Sequence, residues 1–140
     1  MFMLNKLLIK ELIKKVNTNT SNIQIIKDAE IYSSTETKTN KIWIDGKPIY
    51  RRVISFGALP LNSTKTEDVS SWNIDRLIHL YGSTQNSTSG NVRPLLFTGN
   101  QSAVVRIDKQ ANNIRLITYD TTWEGYNDTE VIVEYTKTTD

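Results

Sequence analysis

Cysteine is absent from the 140 residues, which removes disulfides, thiolate metal sites and cysteine nucleophiles. Histidine occurs once, as His79 between Ile78 and Leu80, with no serine or cysteine motif beside it. A catalytic triad is thereby excluded, and His79 reads as a structural or surface side chain on a strand. Missing too is any run of about 20 apolar residues able to span a bilayer. The stretch Met3-Leu4-Asn5-Lys6-Leu7-Leu8-Ile9-Lys10-Glu11-Leu12-Ile13 is broken by charges and followed by no small-residue cleavage site. Neither signal peptide nor membrane insertion is expected, and the chain reads as a soluble product of the cytoplasm. No charge of one sign dominates: 17 Lys+Arg against 15 Asp+Glu leave +2, spread along the chain. A nucleic-acid partner, which needs a concentrated basic face, is not expected. The glycines stand singly and form no phosphate cradle, so no cofactor is implied. Asp120, Glu124 and Asp128 around Trp123 are the acids placed to hold a cation or act on a sugar, but solvated turn carboxylates are the plainer reading. No catalytic or metal residue is nominated.

What is present in quantity is small and polar. Thr contributes 17 residues, Asn 13 and Ser 11, a chemistry of strands, turns and wet loops. Ile, Val and Tyr nevertheless cluster in short runs, which predicts a folded domain.

From Phe2 to about Val16 the apolar residues recur at helical spacing, with Lys6, Lys10, Glu11, Lys14 and Lys15 on the other face. A recurrence of seven links Phe2, Ile9, Val16 and Ile23, and Asn5, Leu12, Asn19 and Ile26 follow at an offset of three, the seam of a coiled coil. Asn17 to Asn22 is poor in helix formers, so an interruption or end is expected there. The same stripe is also compatible with a helix packed on its own domain or on another protein. The expected organisation is a helix over 1–27, a linker or solvated edge strand over 28–40, and an antiparallel β-domain over 41–140.

In that last region short alternating runs are separated by turn signals. Asp45-Gly46 between Ile42-Trp43-Ile44 and Pro48-Ile49-Tyr50 predicts a hairpin with a type I′ turn. Residues 51–56 continue the second strand of that hairpin, and further strands are expected over 103–108, 114–119 and 130–136, each alternating to give one buried and one wet face. Residues 73–81 are ambiguous, because Ile74, Leu77, Ile78 and Tyr81 have helical spacing; a short turn feeding a strand is the reading adopted. The fold class is mainly β, an antiparallel β-sandwich, jelly-roll-like, with a short N-terminal α-helix.

Lys41-Ile42-Trp43-Ile44-Asp45-Gly46-Lys47-Pro48-Ile49-Tyr50-Arg51-Arg52, then Ser55-Phe56-Gly57-Ala58-Leu59-Pro60, resembles the opening of a β-domain common in phage virion proteins. Asn73-Ile74-Asp75 leading to Tyr81-Gly82, and the ending Val133-Glu134-Tyr135-Thr136-Lys137-Thr138-Thr139-Asp140, are similar to later parts of that domain. The resemblance covers about residues 41–140. It implies a virion location and a part in a head fibre, tail fibre or baseplate accessory protein of phages infecting Gram-positive bacteria. No catalytic residue comes with it.

Together these readings make the chain a virion structural protein and not an enzyme. A homotrimeric head fibre or capsid decoration component is expected, with Phe2, Ile9, Leu12 and Val16 at the oligomer interface and other capsid or tail proteins as partners. The alternative is a tail or baseplate accessory protein that binds host cell-wall glycan. Trp72, Trp123 and Tyr126, which lie in polar stretches, are the candidates to stack on a sugar; filling the core or a subunit seam is the competing role.

Overall fold

The computed structural model describes residues 2–29, 31–95 and 103–140, with helix side chains described over 6–24. The chain divides into two units, Met1–Ile31 and Tyr32–Asp140. The first is a single helix, α1 (Phe2–Ala29). The expected interruption at Asn17–Asn22 does not occur. Thr18, Thr20 and Ser21 donate their hydroxyls to the carbonyls of Lys14 (3.0 Å), Val16 (2.9 Å) and Asn17 (3.0 Å) one turn back. Hydroxyls that would otherwise compete with helical backbone bonding are thus absorbed by the helix itself.

The second unit is built from β1 (Thr37–Ile42), β2 (Pro48–Ser55), β3 (Thr64–Asp68), β4 (Ile74–Asn86), β5 (Val92–Pro94), β6 (Ala103–Asp108), β7 (Asn113–Thr118) and β8 (Tyr126–Lys137). All pairings are antiparallel, in a five-stranded sheet β1-β2-β8-β4-β5 and a three-stranded sheet β3-β7-β6. The expected β-sandwich is therefore present. β2 pairs with β8 and β3 with β7, so the segment β2–β3 lies against β7–β8 as in a jelly roll, while β5 stays on β4 and makes the division five and three.

β8 lies at the centre because its alternation suits both faces. Val131, Val133 and Tyr135 point inward with no exposure, opposite Ile54, Arg52 and Tyr50 of β2 and Gly82, Leu80 and Leu77 of β4. Ile114 and Leu116 of β7, equally buried, meet them from the other sheet, and Leu59, Val69, Trp72, Leu95 and Trp123 close the core.

The Asp45-Gly46 hairpin forms, with a different turn from the one expected. Gly46 N donates to Trp43 O at 2.9 Å and Trp43 N to Lys47 O at 2.8 Å, leaving 44–46 as the loop. Gly46 takes φ +87° whereas Asp45 does not enter the positive region, so this is a three-residue loop closed by glycine, not a type I′ turn. The stretch expected as linker over 28–40 also shortens. The helix runs to Ala29 and β1 begins at Thr37, an edge strand.

The ambiguous segment 73–81 is strand from Ile74 onward. Register shifts lie between Ile74 and Arg76 and between Leu77 and His79. An extra residue at each site breaks the period of two, and this is what gave Leu77 and Ile78 their helix-like spacing. β3 and β5 were not anticipated.

Candidate assembly interface

Along α1 the described apolar side chains are uncovered. Ile9 is 56% exposed, Leu12 63%, Val16 54% and Ile23 54%, with Leu8 and Ile13 beside them on the same face. An apolar stripe of this extent on a helix ordinarily faces a partner. Three of the four expected interface residues, Ile9, Leu12 and Val16, lie on that stripe; the side chain of Phe2 lies outside the described residues, as do those of Asn5 and Ile26. Among the described residues no helix is long and apolar enough to cross a membrane.

The three aromatic residues nominated for glycan binding are placed differently from that expectation. Trp72 is 4% exposed and stacks on Tyr135 with ring centroids 5.5 Å apart, while the Arg52 guanidinium caps it at 4.6 Å. Trp123 (5%) and Tyr126 (6%) meet edge to face at 5.4 Å. Their faces are occupied by protein, and none forms an open stacking platform. The polar sequence around Trp72 and Trp123 misled because its small side chains form the rim of the sandwich and the rings turn inward.

Of the acids around Trp123, Asp120 and Glu124 lie in the loop before β8 and Asp128 lies on β8 itself. Asp120 Oδ1 accepts the Thr122 N–H at 3.0 Å, and Asp128 pairs with Gln85 across β8 and β4. Among the described residues no cluster of three His, Asp or Glu side chains could hold a metal. A cavity of about 290 Å³ at one end of the sandwich is lined by Ser70, Asn73, Asp108, Lys109, Asn112 and Thr138. Much of that lining is engaged internally: Asn73 O accepts from Thr138, Asp108 Oδ1 accepts from Ala111 N, and Lys109 Nζ donates to Asp75 O.

The feature that sequence reasoning missed is a charged group on the outward face of the five-stranded sheet. Arg51, Glu134 and His79 sit side by side on β2, β8 and β4. Glu134 accepts from Arg51 Nε at 2.9 Å and faces His79 Nδ1 at 2.8 Å. The Arg51 and Glu134 side chains are each 5% exposed. Burial alone would raise the Glu134 carboxyl, but the bonds from His79 and Arg51 outweigh it and hold the group below the ordinary glutamate range. The available signal was weak: Arg51 and Glu134 interrupt strongly apolar strand sequences.

A strap, residues 32–36, covers this group with Tyr32 and then runs beside β2. The Tyr32 ring covers the Arg51 guanidinium at 4.3 Å, and its hydroxyl bonds that of Tyr81. Burial first, then that bond, pushes the Tyr81 phenol up to about 12. Ser33 O accepts Val53 N at 2.8 Å, Ser34 O accepts Arg52 Nε at 2.7 Å, and Glu36 receives Tyr135 Oη at 2.5 Å and Lys137 Nζ at 2.8 Å. No protein-family model, curated protein or solved structure matches the chain.

Proposed function

We propose that the chain is a non-enzymatic structural part of a bacteriophage particle, a homotrimeric head fibre or capsid decoration component. Its helices associate along Ile9, Leu12 and Val16, and its β-domains are displayed by that association. The observation that carries the assembly reading is the stripe on α1, where side chains at heptad spacing are each more than half exposed. Removing that apolar surface from water favours association by about 25 cal/mol per Å², less the cost of ordering three chains. The virion location is supported by the resemblance over residues 41–140. The glycan-binding alternative loses support, since the aromatic faces nominated for it are buried.

Sedimentation of the intact chain is expected to give a trimer, and the combined variant Ile9→Asp, Leu12→Asp, Val16→Asp a monomer whose β-domain melts as before. A wild-type monomer at every concentration would overturn the assembly reading. Absence of the chain from purified particles would overturn the virion assignment.

A further inference from the structure

The cavity of about 290 Å³ at one end of the sandwich is a recess where the connection from β3 to β4, the turn from β6 to β7 and the residues after β8 converge. Backbone bonds tie these segments together: Val69 N donates to Asn112 O at 2.9 Å, and Thr138 N to Asn73 O at 2.9 Å. Asn73 (φ 54°) and Asn112 (φ 49°) turn the chain there in the left-handed conformation that asparagine tolerates. The walls are thus set before anything enters, which lowers the cost of binding. The recess lies level with Ile74 and Lys137, whereas the strap meets β2 at Val53, opposite Ile132. Five residues of β8, from Ile132 to Lys137, separate the two at about 3.4 Å each.

The lining indicates what fits. Buried Val69 and half-buried Ile74 and Ile107 form an apolar floor, and exposed Asn112, Lys109 and Thr138 stand at the rim. The Asn112 side-chain amide bonds to no described residue. Lys109 gives one N–H to Asp75 O and keeps two, and the Thr138 hydroxyl donates to Asn73 O at 3.4 Å with its lone pairs open. Charge around the recess is balanced. Lys47, Lys109 and Arg115 are matched by Asp68, Asp75 and Asp108, with Lys47 on Asp75 at 2.6 Å and Arg115 on Asp108 at 3.4 Å. No excess of either sign selects an ion. An apolar floor beneath a hydrogen-bonding rim fits a ring with a C–H face and a hydroxylated edge. The volume lies at the lower bound of ordinary ligand pockets, about 300 Å³, and suits one ring and not a chain of them.

We propose that this recess binds one uncharged pyranose unit, the terminal sugar of a glycan, with its C–H face on Ile74 and Ile107 and its hydroxyls on Asn112, Lys109 and Thr138. The site belongs to the β-domain alone, rests on neither the trimer nor the virion reading, and uses none of the buried aromatic residues set aside above. With no aromatic platform, a single site binds in the millimolar range. The test is saturation-transfer NMR on the intact chain with glucose, galactose and N-acetylglucosamine, each at about 10 mM, and with glycerol, which has hydroxyls but no ring face. Transfer to at least one of the three sugars and none to glycerol is expected. Asn112→Gly keeps the left-handed turn while removing the amide, and should weaken that binding about tenfold with the melting midpoint unchanged. No transfer to any of the sugars, equal transfer to glycerol, or unaltered binding by folded Asn112→Gly would overturn the site. Should Asn112→Gly fail to fold, backbone amide shifts of the isotope-labelled wild type decide: changes confined to 69–74, 107–112 and 138 on adding the sugar support the site, and changes elsewhere overturn it.

Discussion

Glu134 shows how one side chain sets the pH range of the β-domain. Its carboxyl, like that of Glu36, is held below the ordinary glutamate value although burial works in the opposite direction; for Glu36 the opposing groups are Lys137 and Tyr135. A group with a depressed folded-state value stabilises the fold above its unfolded value, and that contribution is lost as pH falls through the folded one. The β-domain melting temperature should therefore hold from neutral pH down to about 4.5 and fall below it, with a smaller acid loss in Glu134→Gln. Glu134→Ala leaves the buried Arg51 guanidinium with Tyr32 as its remaining cover, and should cost about 3 kcal/mol in urea unfolding at pH 7. An unchanged midpoint would show that Arg51 finds other solvation.

At the scale of the element, β4 depends on a glycine. A Cβ at Gly82 would stand 2.3 Å from Glu130 O and 3.1 Å from Val131 Cα, both backbone atoms of β8, and 3.0 Å from Leu95 Cδ1. Gly82→Ala should thus force β4 away from the central strand and cost about 2–3 kcal/mol, read as a lower thermal midpoint with the helical signal retained. Other elements show how far the sequence could be read. The β7 and β8 strands were legible because Ile114 and Leu116 flank Arg115, and Val133 and Tyr135 flank Glu134, within short runs rich in Ile and Val. β3 was not: Thr64-Lys65-Thr66-Glu67-Asp68 has no apolar residue, and it is a strand through its pairing with β7 and through Lys65, which donates to the Phe56 and Ala58 carbonyls. The hairpin at Asp45-Gly46 was legible, but its loop length was not, since a glycine that tolerates positive φ serves two-residue and three-residue loops alike. Helix propensity correctly ranked Asn17–Asn22 as poor, yet it carries no account of three hydroxyls bonding back to the same helix. The helical spacing of Ile9, Leu12 and Val16 was legible in the sequence, and the structure leaves those side chains exposed. The Arg51–Glu134–His79 group was not, because three strands distant in sequence had to be placed in register first.

Across the whole molecule the two units have separate sources of stability. The described side chains of α1 expose their apolar surface, whereas Tyr32–Asp140 encloses a core drawn from both sheets. A chain of residues 32–140 is expected to fold as a monomer and melt at the temperature of the β-domain in the intact protein. A fragment that is unfolded, or that still forms trimers, would show that the division between the units lies elsewhere.

The strap at 32–36 gives this division a mechanical meaning. Its fastenings fall on Arg51, Arg52 and Val53 of β2, on Tyr81 of β4, and on Tyr135 and Lys137 of β8. Tension drawn through residue 31 therefore enters three adjacent strands together, the middle one being the core strand, instead of peeling a single edge strand from the sheet.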